Sequence, residues 1–381
     1  MNTLPKWVWV VVVLVVLVGG WMLLKEKPAP VDGPMKVGVI LPLTGDAASY
    51  GEPFRNLVEI AVEEINANGG VNGNPMELII EDGKCDGAAA ANAAQKLINV
   101  DKVEIIIGGF CSSESLSVVP IAESAKVAMI SPGSSSPKLT GISNYFVRNY
   151  PSDSAQGSVL ANIAFTDKGW KNVAFIQEQT DYSLGVYTAF SETFSELGGA
   201  TTNESFPSEN TDFRSILTKL KDQNPDALFI SVQTPAVAER ILTQLNQLGW
   251  KPNLMAADII PGDPKLVSGN AAALEGTLTA EFGVDKTNAK FVGMINAYKA
   301  KYGEEPPYQG YAQVVYDAPY IVRDAVAAVG YDGPMVARWL RTEVRDWQGA
   351  AGSVSIGDDG DLVSGHRPEV IMGGQVMPYT R

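Results

Sequence analysis

Lys36-Val37-Gly38-Val39-Ile40-Leu41-Pro42-Leu43-Thr44-Gly45 opens on a short apolar run and closes on proline and glycine. A run of that length, bounded by a turn signal, reads as a strand buried on both faces. The same signature returns at 76–81, 103–107 and 127–130. Helical patterns lie between these runs. One covers 53–68, with Leu57, Ile60, Ala61 and Ile65 on one face and Gly69-Gly70 at its end; the others cover 88–99 and 113–125. Strand and helix alternating at short spacing predict a parallel sheet with helices on both faces.

The rhythm restarts after Pro151, with a helix at 155–167, a strand at 173–177, helices at 184–197 and 213–222, a strand at 227–232, a helix at 236–248 and a strand at 254–257. Beyond Gly276, helical patterns at 288–302, 308–330 and 335–343 precede a Gly-rich tail from Gly349. Two consecutive α/β sheets are therefore expected, and 381 residues exceed what one hydrophobic core usually holds. With 45% apolar and 19% charged residues the chain can bury a sizeable core. Its formal net charge of -14 repels phosphate backbones, which argues against nucleic-acid binding.

His366 is the single histidine, so no site needing two histidines can be built. The spacings of a nucleophile elbow, a P-loop, a dinucleotide fold and a zinc protease are all missing. The expectation is a protein with no catalytic residue, no cofactor and no bound metal.

Residues 7–24 form an uncharged run of 18, with Lys6 before it and Lys25-Glu26-Lys27 after it. As a helix it would span roughly 27 Å, close to the hydrocarbon thickness of a bilayer. Trp7, Trp9 and Trp21 fall near its ends, where amphipathic rings prefer the interface. No small-x-small cleavage motif follows closely and no cysteine lies near the end, so an uncleaved signal anchor is expected, with a cleaved signal peptide as the alternative. Residues 28–34 read as a Pro-rich spacer. Cys85 and Cys111, the only cysteines, read in an exported chain as one disulfide, which places the folded body outside the cytoplasm. The alternative is two separate buried thiols.

Open α/β sheets bind ligands beyond the carboxyl ends of their strands. The relevant loops are 43–50, 108–113, 131–136, 179–182, 233–234 and Asp258. Two of them, Cys111-Ser112-Ser113 and Ser131-Pro132-Gly133-Ser134-Ser135-Ser136-Pro137, are rich in small hydroxyl residues. Hydroxyls and free backbone N–H groups there suit a carboxylate. The alternative makes Ser112 the cap of a helix starting near Glu114 and the second loop a plain turn.

At these residues the chain resembles the leucine/isoleucine/valine-binding proteins, the type I periplasmic binding proteins. The matching pieces are Val39-Ile40-Leu41-Pro42-Leu43-Thr44-Gly45 with Tyr50-Gly51, Ile65-Asn66-Ala67-Asn68-Gly69-Gly70-Val71-Asn72-Gly73, the segment around Cys85, Ile107-Gly108-Gly109-Phe110-Cys111-Ser112-Ser113, and Ile130-Ser131-Pro132 running on to Leu139-Thr140. Weaker similarity continues to about residue 362, so nearly the whole body is covered.

The resemblance implies an α/β fold of two Rossmann-like lobes joined by a three-crossover hinge that closes on a ligand between them. Lobe 1 would be 35–150 plus 281–350, and lobe 2 would be 151–280 plus 351–381. It further implies that Ser112 and Ser135 hold a ligand carboxylate and that Gly133, Ser135 and Asp258 hold its ammonium. Ser134, Gln233, Tyr50, Tyr182 and Tyr311 would complete the lining. Two departures are visible: Val232-Gln233-Thr234 stands where many relatives have Gly-Gly-aromatic, and Asp258 is one methylene shorter than their glutamate. The implied function is substrate capture for an ABC uptake transporter, with an amino acid as ligand and permease and ATPase subunits as partners. A sensory domain reporting to a membrane partner is the alternative.

Overall fold

The computed structural model describes residues 33–381. Among the described residues no helix is long and apolar enough to cross a membrane. The anchor expected at 7–24 lies outside the described residues, as does the spacer up to residue 32.

The first sheet holds β1 (Met35–Leu41), β2 (Met76–Asp82), β3 (Ile105–Ile107), β4 (Ala128–Ser131) and β5 (Phe146–Arg148) in the order β2-β1-β3-β4-β5. All four pairings are parallel. β1 is central, and only Lys36 escapes full burial. That explains its near-continuous apolar sequence: Val37, Val39 and Leu41 enter one hydrophobic cluster while Ile40 enters another on the opposite face.

The second sheet contains β6 (Asn172–Glu178), β7 (Ala200–Phe206), β8 (Ala227–Ser231), β9 (Asn253–Ala256) and β10 (Leu278–Glu281). A separate hairpin, β11 (Trp347–Gly349) with β12 (Gly352–Val354), follows in the chain. β13 (Arg367–Met372) and β14 (Gln375–Pro378) then complete the second sheet, whose order is β14-β13-β10-β9-β8-β6-β7. Its last two strands pair antiparallel.

The Gly-rich tail expected from Gly349 is thus corrected to two hairpins. Gly373 and Gly374, both at positive φ, form the two-residue turn between Met372 and Gln375. Gly-Gly between alternating residues is itself a hairpin signal, hidden here by the polar exterior of an edge pair. The remaining helices sit where their periodicity put them, shifted at their ends. The first covers Ala48–Ala67, burying Phe54, Leu57, Val58, Ala61 and Ile65 at the spacing of one helical face. It begins before Pro53, the residue that marked its predicted start.

The chain passes between the two sheets three times: after β5, after β10 and between β12 and β13. Arg148, fully buried at the end of β5, ties the first and third passages together. Its Nε and Nη2 donate to the two carboxylate oxygens of Asp361 at 2.7 and 2.8 Å, and its Nη1 donates to the carbonyl of Ser136 at 2.9 Å. Cys85 and Cys111 form a disulfide with their Cα atoms 5.2 Å apart, joining the segments after β2 and β3.

Candidate ligand-binding site

Each sheet changes winding direction once. β1 is flanked by β2 and β3, and β6 by β7 and β8. The loops leaving β1 and β3, and those leaving β6 and β8, therefore diverge and open a crevice at each sheet's carboxyl edge. The two crevices face each other: the hydroxyl of Tyr50, near the start of the helix Ala48–Ala67, donates to the carbonyl of Gln233 beyond β8 at 3.2 Å. Tyr50, Ser112, Gly133, Ser134, Ser135, Tyr182, Gln233, Asp258 and Tyr311 are all buried where the sheets meet.

On the first-sheet side, Cys111 rather than Ser112 precedes the helix Ser112–Ala125, and Glu114 returns to the Cys111 N–H at 2.8 Å. Ser112 is thereby released from capping, and its Oγ accepts from the Ser136 N–H at 3.1 Å. Ser134 points the other way. Its Oγ lies within 3.1 Å of the carbonyls of Gly109, Phe110 and Cys111, so it clamps the β4 loop onto the β3 loop. Gly133 has no room for a side chain, since a Cβ there would lie 2.3 Å from the Phe110 ring. Ser135 Oγ donates to Asp153 Oδ2 at 2.9 Å.

On the second-sheet side, Asp258 is fully buried just beyond β9 and is surrounded by phenols. Tyr150 and Tyr311 donate to its Oδ2 at 2.7 and 2.6 Å, and Tyr182 donates to its Oδ1. Burial, reinforced by the Asp258 charge, holds all three phenols well above their ordinary pKa, so they remain donors. Gln233 serves through its backbone: its N–H donates to Glu178 at 2.7 Å and its carbonyl receives Tyr50.

Sequence reasoning missed Tyr150, Asp153, Phe110 and Tyr308. Phe110 and Tyr308 wall the cleft against Tyr50, with ring centroids 5.5 and 4.6 Å from it. Tyr150 and Asp153 stood in a segment that read only as a break between two domains. Ser152 ahead of Asp153 was a helix-start signal, and the structure has a helix beginning at Asp153.

The arrangement can hold a small polar molecule between hydroxyls and amides of one lobe and a carboxylate of the other. Neither Ser112 nor Ser135 is paired with a histidine, and both ring nitrogens of buried His366 lack a hydrogen-bond partner. Fold and cleft together define a two-lobed solute-binding protein. The chain belongs to the periplasmic binding protein family, whose model matches residues 34–367. It is 27% identical over 331 residues to the leucine-, isoleucine-, valine-, threonine- and alanine-binding protein of Pseudomonas aeruginosa, covering 86% of this chain and 87% of that one. Among solved structures, a leucine-binding protein of Thermotoga maritima superposes with a TM-score of 0.82 at 31% identity, covering 91% of this chain and 98% of that one. The branched-chain amino acid transporter substrate-binding protein of Streptococcus pneumoniae, solved in complex with isoleucine, has a TM-score of 0.79 at 27% identity, covering 90% and 97%.

Proposed function

We propose that this protein is the extracytoplasmic substrate-binding subunit of an ABC uptake transporter, capturing a branched-chain or similar small amino acid by closure of its two lobes. The observation that carries this reading is that Ser112 and Ser135, beyond strands of the first sheet, and the Asp258 carboxylate, beyond β9 of the second, are all buried where the two sheets meet. A zwitterion satisfies both ends at once. Ser112 and nearby backbone N–H groups, that of Ser135 among them, take its carboxylate, while the Gly133 carbonyl, the Ser135 hydroxyl oxygen and Asp258 take its ammonium. A ligand that touches both lobes binds the closed arrangement better than an open one, and only that difference shifts the population. The transporter's permease then reads the closed shape, without chemistry on the ligand.

The lobe boundaries given above are part of this proposal, except that the last is corrected from 350 to the passage between β12 and β13, because a cut at 350 would split the hairpin Trp347–Val354. They are supported by β10, β13 and β14 joining the second sheet while the helix Gln309–Val329 packs along Ala48–Ala67. So is an uncleaved anchor at 7–24, supported by the uncharged run and its bordering tryptophans. A thermal-shift panel of the twenty amino acids tests the central claim, since a ligand at about 100 times Kd adds about 2.7 kcal/mol to stability. A panel without any shift would reject it.

A further inference from the structure

Asp153 opens the helix Asp153–Asn162 and is fully buried. It meets Ser135 twice: its N–H donates to the Ser135 carbonyl at 2.9 Å, and its Oδ2 accepts the Ser135 hydroxyl proton at 2.9 Å. A serine hydroxyl has one proton, and here the carboxylate takes it. What Ser135 Oγ has left is lone pairs. It can accept from a ligand, but it cannot donate to one.

The other carboxylate oxygen, Asp153 Oδ1, is buried without a hydrogen-bond partner. Asp153 has no salt-bridge partner among the described residues. The nearby Arg148 is committed to Asp361, Thr140 and the carbonyls of the Ser135 loop. Burial, and after it the charge of Asp258, holds the Asp153 carboxyl well above the usual carboxylate range, and the Asp153 charge in turn raises Tyr182 and Tyr311. Two buried acids therefore interact across one cleft, and one of them holds the Ser135 hydroxyl. Burying like charges this close is costly unless a cation, or a proton, is shared near them.

We propose that Asp153 is a specificity-determining residue: by taking the Ser135 proton it makes Ser135 an acceptor and, with Asp258, selects a ligand bearing an ammonium group over the same carbon skeleton without one. This inference rests on the amino-acid reading above and adds a positioning residue that acts through Ser135. It confines recognition of the ligand carboxylate to Ser112 and to backbone N–H groups. It also implies that a plain carboxylic acid is disfavoured, because it brings no donor to Ser135 Oγ and no cation to the buried acids.

The test is calorimetric titration of wild type, Asp153→Asn and Ser135→Ala with L-leucine and with 4-methylpentanoate, which is leucine without its ammonium. Wild type should strongly prefer leucine. Both variants should lose at least about tenfold in leucine affinity while their 4-methylpentanoate affinity stays within about twofold of wild type or improves, so the preference collapses. A merely structural role would weaken both ligands alike and leave the ratio unchanged, and that result overturns the proposal. So does a wild type that binds both probes equally. Should Asp153→Asn fail to fold, Ser135→Ala decides by the same ratio. If wild type binds another amino acid instead, the pair becomes that amino acid and its deaminated analogue. A wild type that binds no amino acid overturns the functional reading itself and this inference with it.

Discussion

Tyr150 and Tyr311 stack face to face, with centroids 4.2 Å apart and planes inclined by 9°, and both donate their hydroxyls to the same oxygen of Asp258. Tyr150 lies in the first passage between sheets, Tyr311 on the helix Gln309–Val329 and Asp258 beyond β9. The edge of Tyr150 also meets Phe282 and His366, at 5.8 Å each, in the other two passages. One phenol thus contacts all three segments that pass between the sheets, and one carboxylate oxygen holds it in place.

Asp258→Asn keeps an acceptor for a tyrosine but removes the charge. Calorimetry with the amino acid found in the thermal-shift panel should show a loss of about 2 to 5 kcal/mol in binding, the usual consequence of truncating a desolvated charge pair. Tyr150→Phe and Tyr311→Phe each remove one bond to a charged group and should cost about 1.5 to 3 kcal/mol in urea-denaturation stability. Unchanged affinity in Asp258→Asn, with lowered stability, would make Asp258 a structural residue only.

Arg148 is fully buried and its fork onto Asp361 joins the first and third passages. Replacing it by methionine leaves Asp361 and two carbonyls without their donor. Stability in urea should fall by about 3 to 5 kcal/mol. A loss under about 1 kcal/mol would show that solvent reaches the pair and that it holds nothing together.

Cys85 and Cys111 close a loop with a sequence separation of 26. In the chain-entropy model such a bridge contributes about 3 to 4 kcal/mol. Cys85→Ala/Cys111→Ala should therefore melt well below wild type, and thiol labelling of the denatured, unreduced protein should find no free thiol. Two reactive thiols in the exported protein would contradict the bridge.

Burial pushes the His366 imidazole down to about 4, with the Arg148 charge adding to the effect and the Asp258 charge opposing it. The unfolded chain takes up the proton near pH 6.5, so the stability held by the neutral ring is complete above that pH and is lost as pH falls towards 4. The loss is on the order of 3 kcal/mol. Glu114, Asp317 and Glu369, raised to about 7 mainly by burial, act in the opposite direction. They are common to wild type and His366→Gln, so the difference between the two proteins' Tm-against-pH curves isolates the histidine. That difference should be flat above pH 6.5 and should shift in favour of the variant below it. A difference that stays constant down to pH 4.5 would mean that the ring is solvated or already charged.

The sheets were legible because central parallel strands are buried on both faces and leave a continuous apolar signature, as in β1 and β8. Three strands of the second sheet were not. β7, β13 and β14 carry polar outward faces, and their sequences resemble loops until a partner strand is known.

Local chemistry in the sequence determined that Ser112, Ser135 and Asp258 stand at strand ends, because the turn residues that stop each strand and the helix that follows are written within a few positions of one another. Only the tertiary structure decided what those groups face. Asp258 meets Tyr150 across 108 positions of sequence, Tyr182 across 76 and Tyr311 across 53. Ser135 meets an aspartate that looked like part of a linker. Hydrogen-bond direction at a shared proton is set by which groups the fold brings within 3 Å, and no spacing along a chain encodes that.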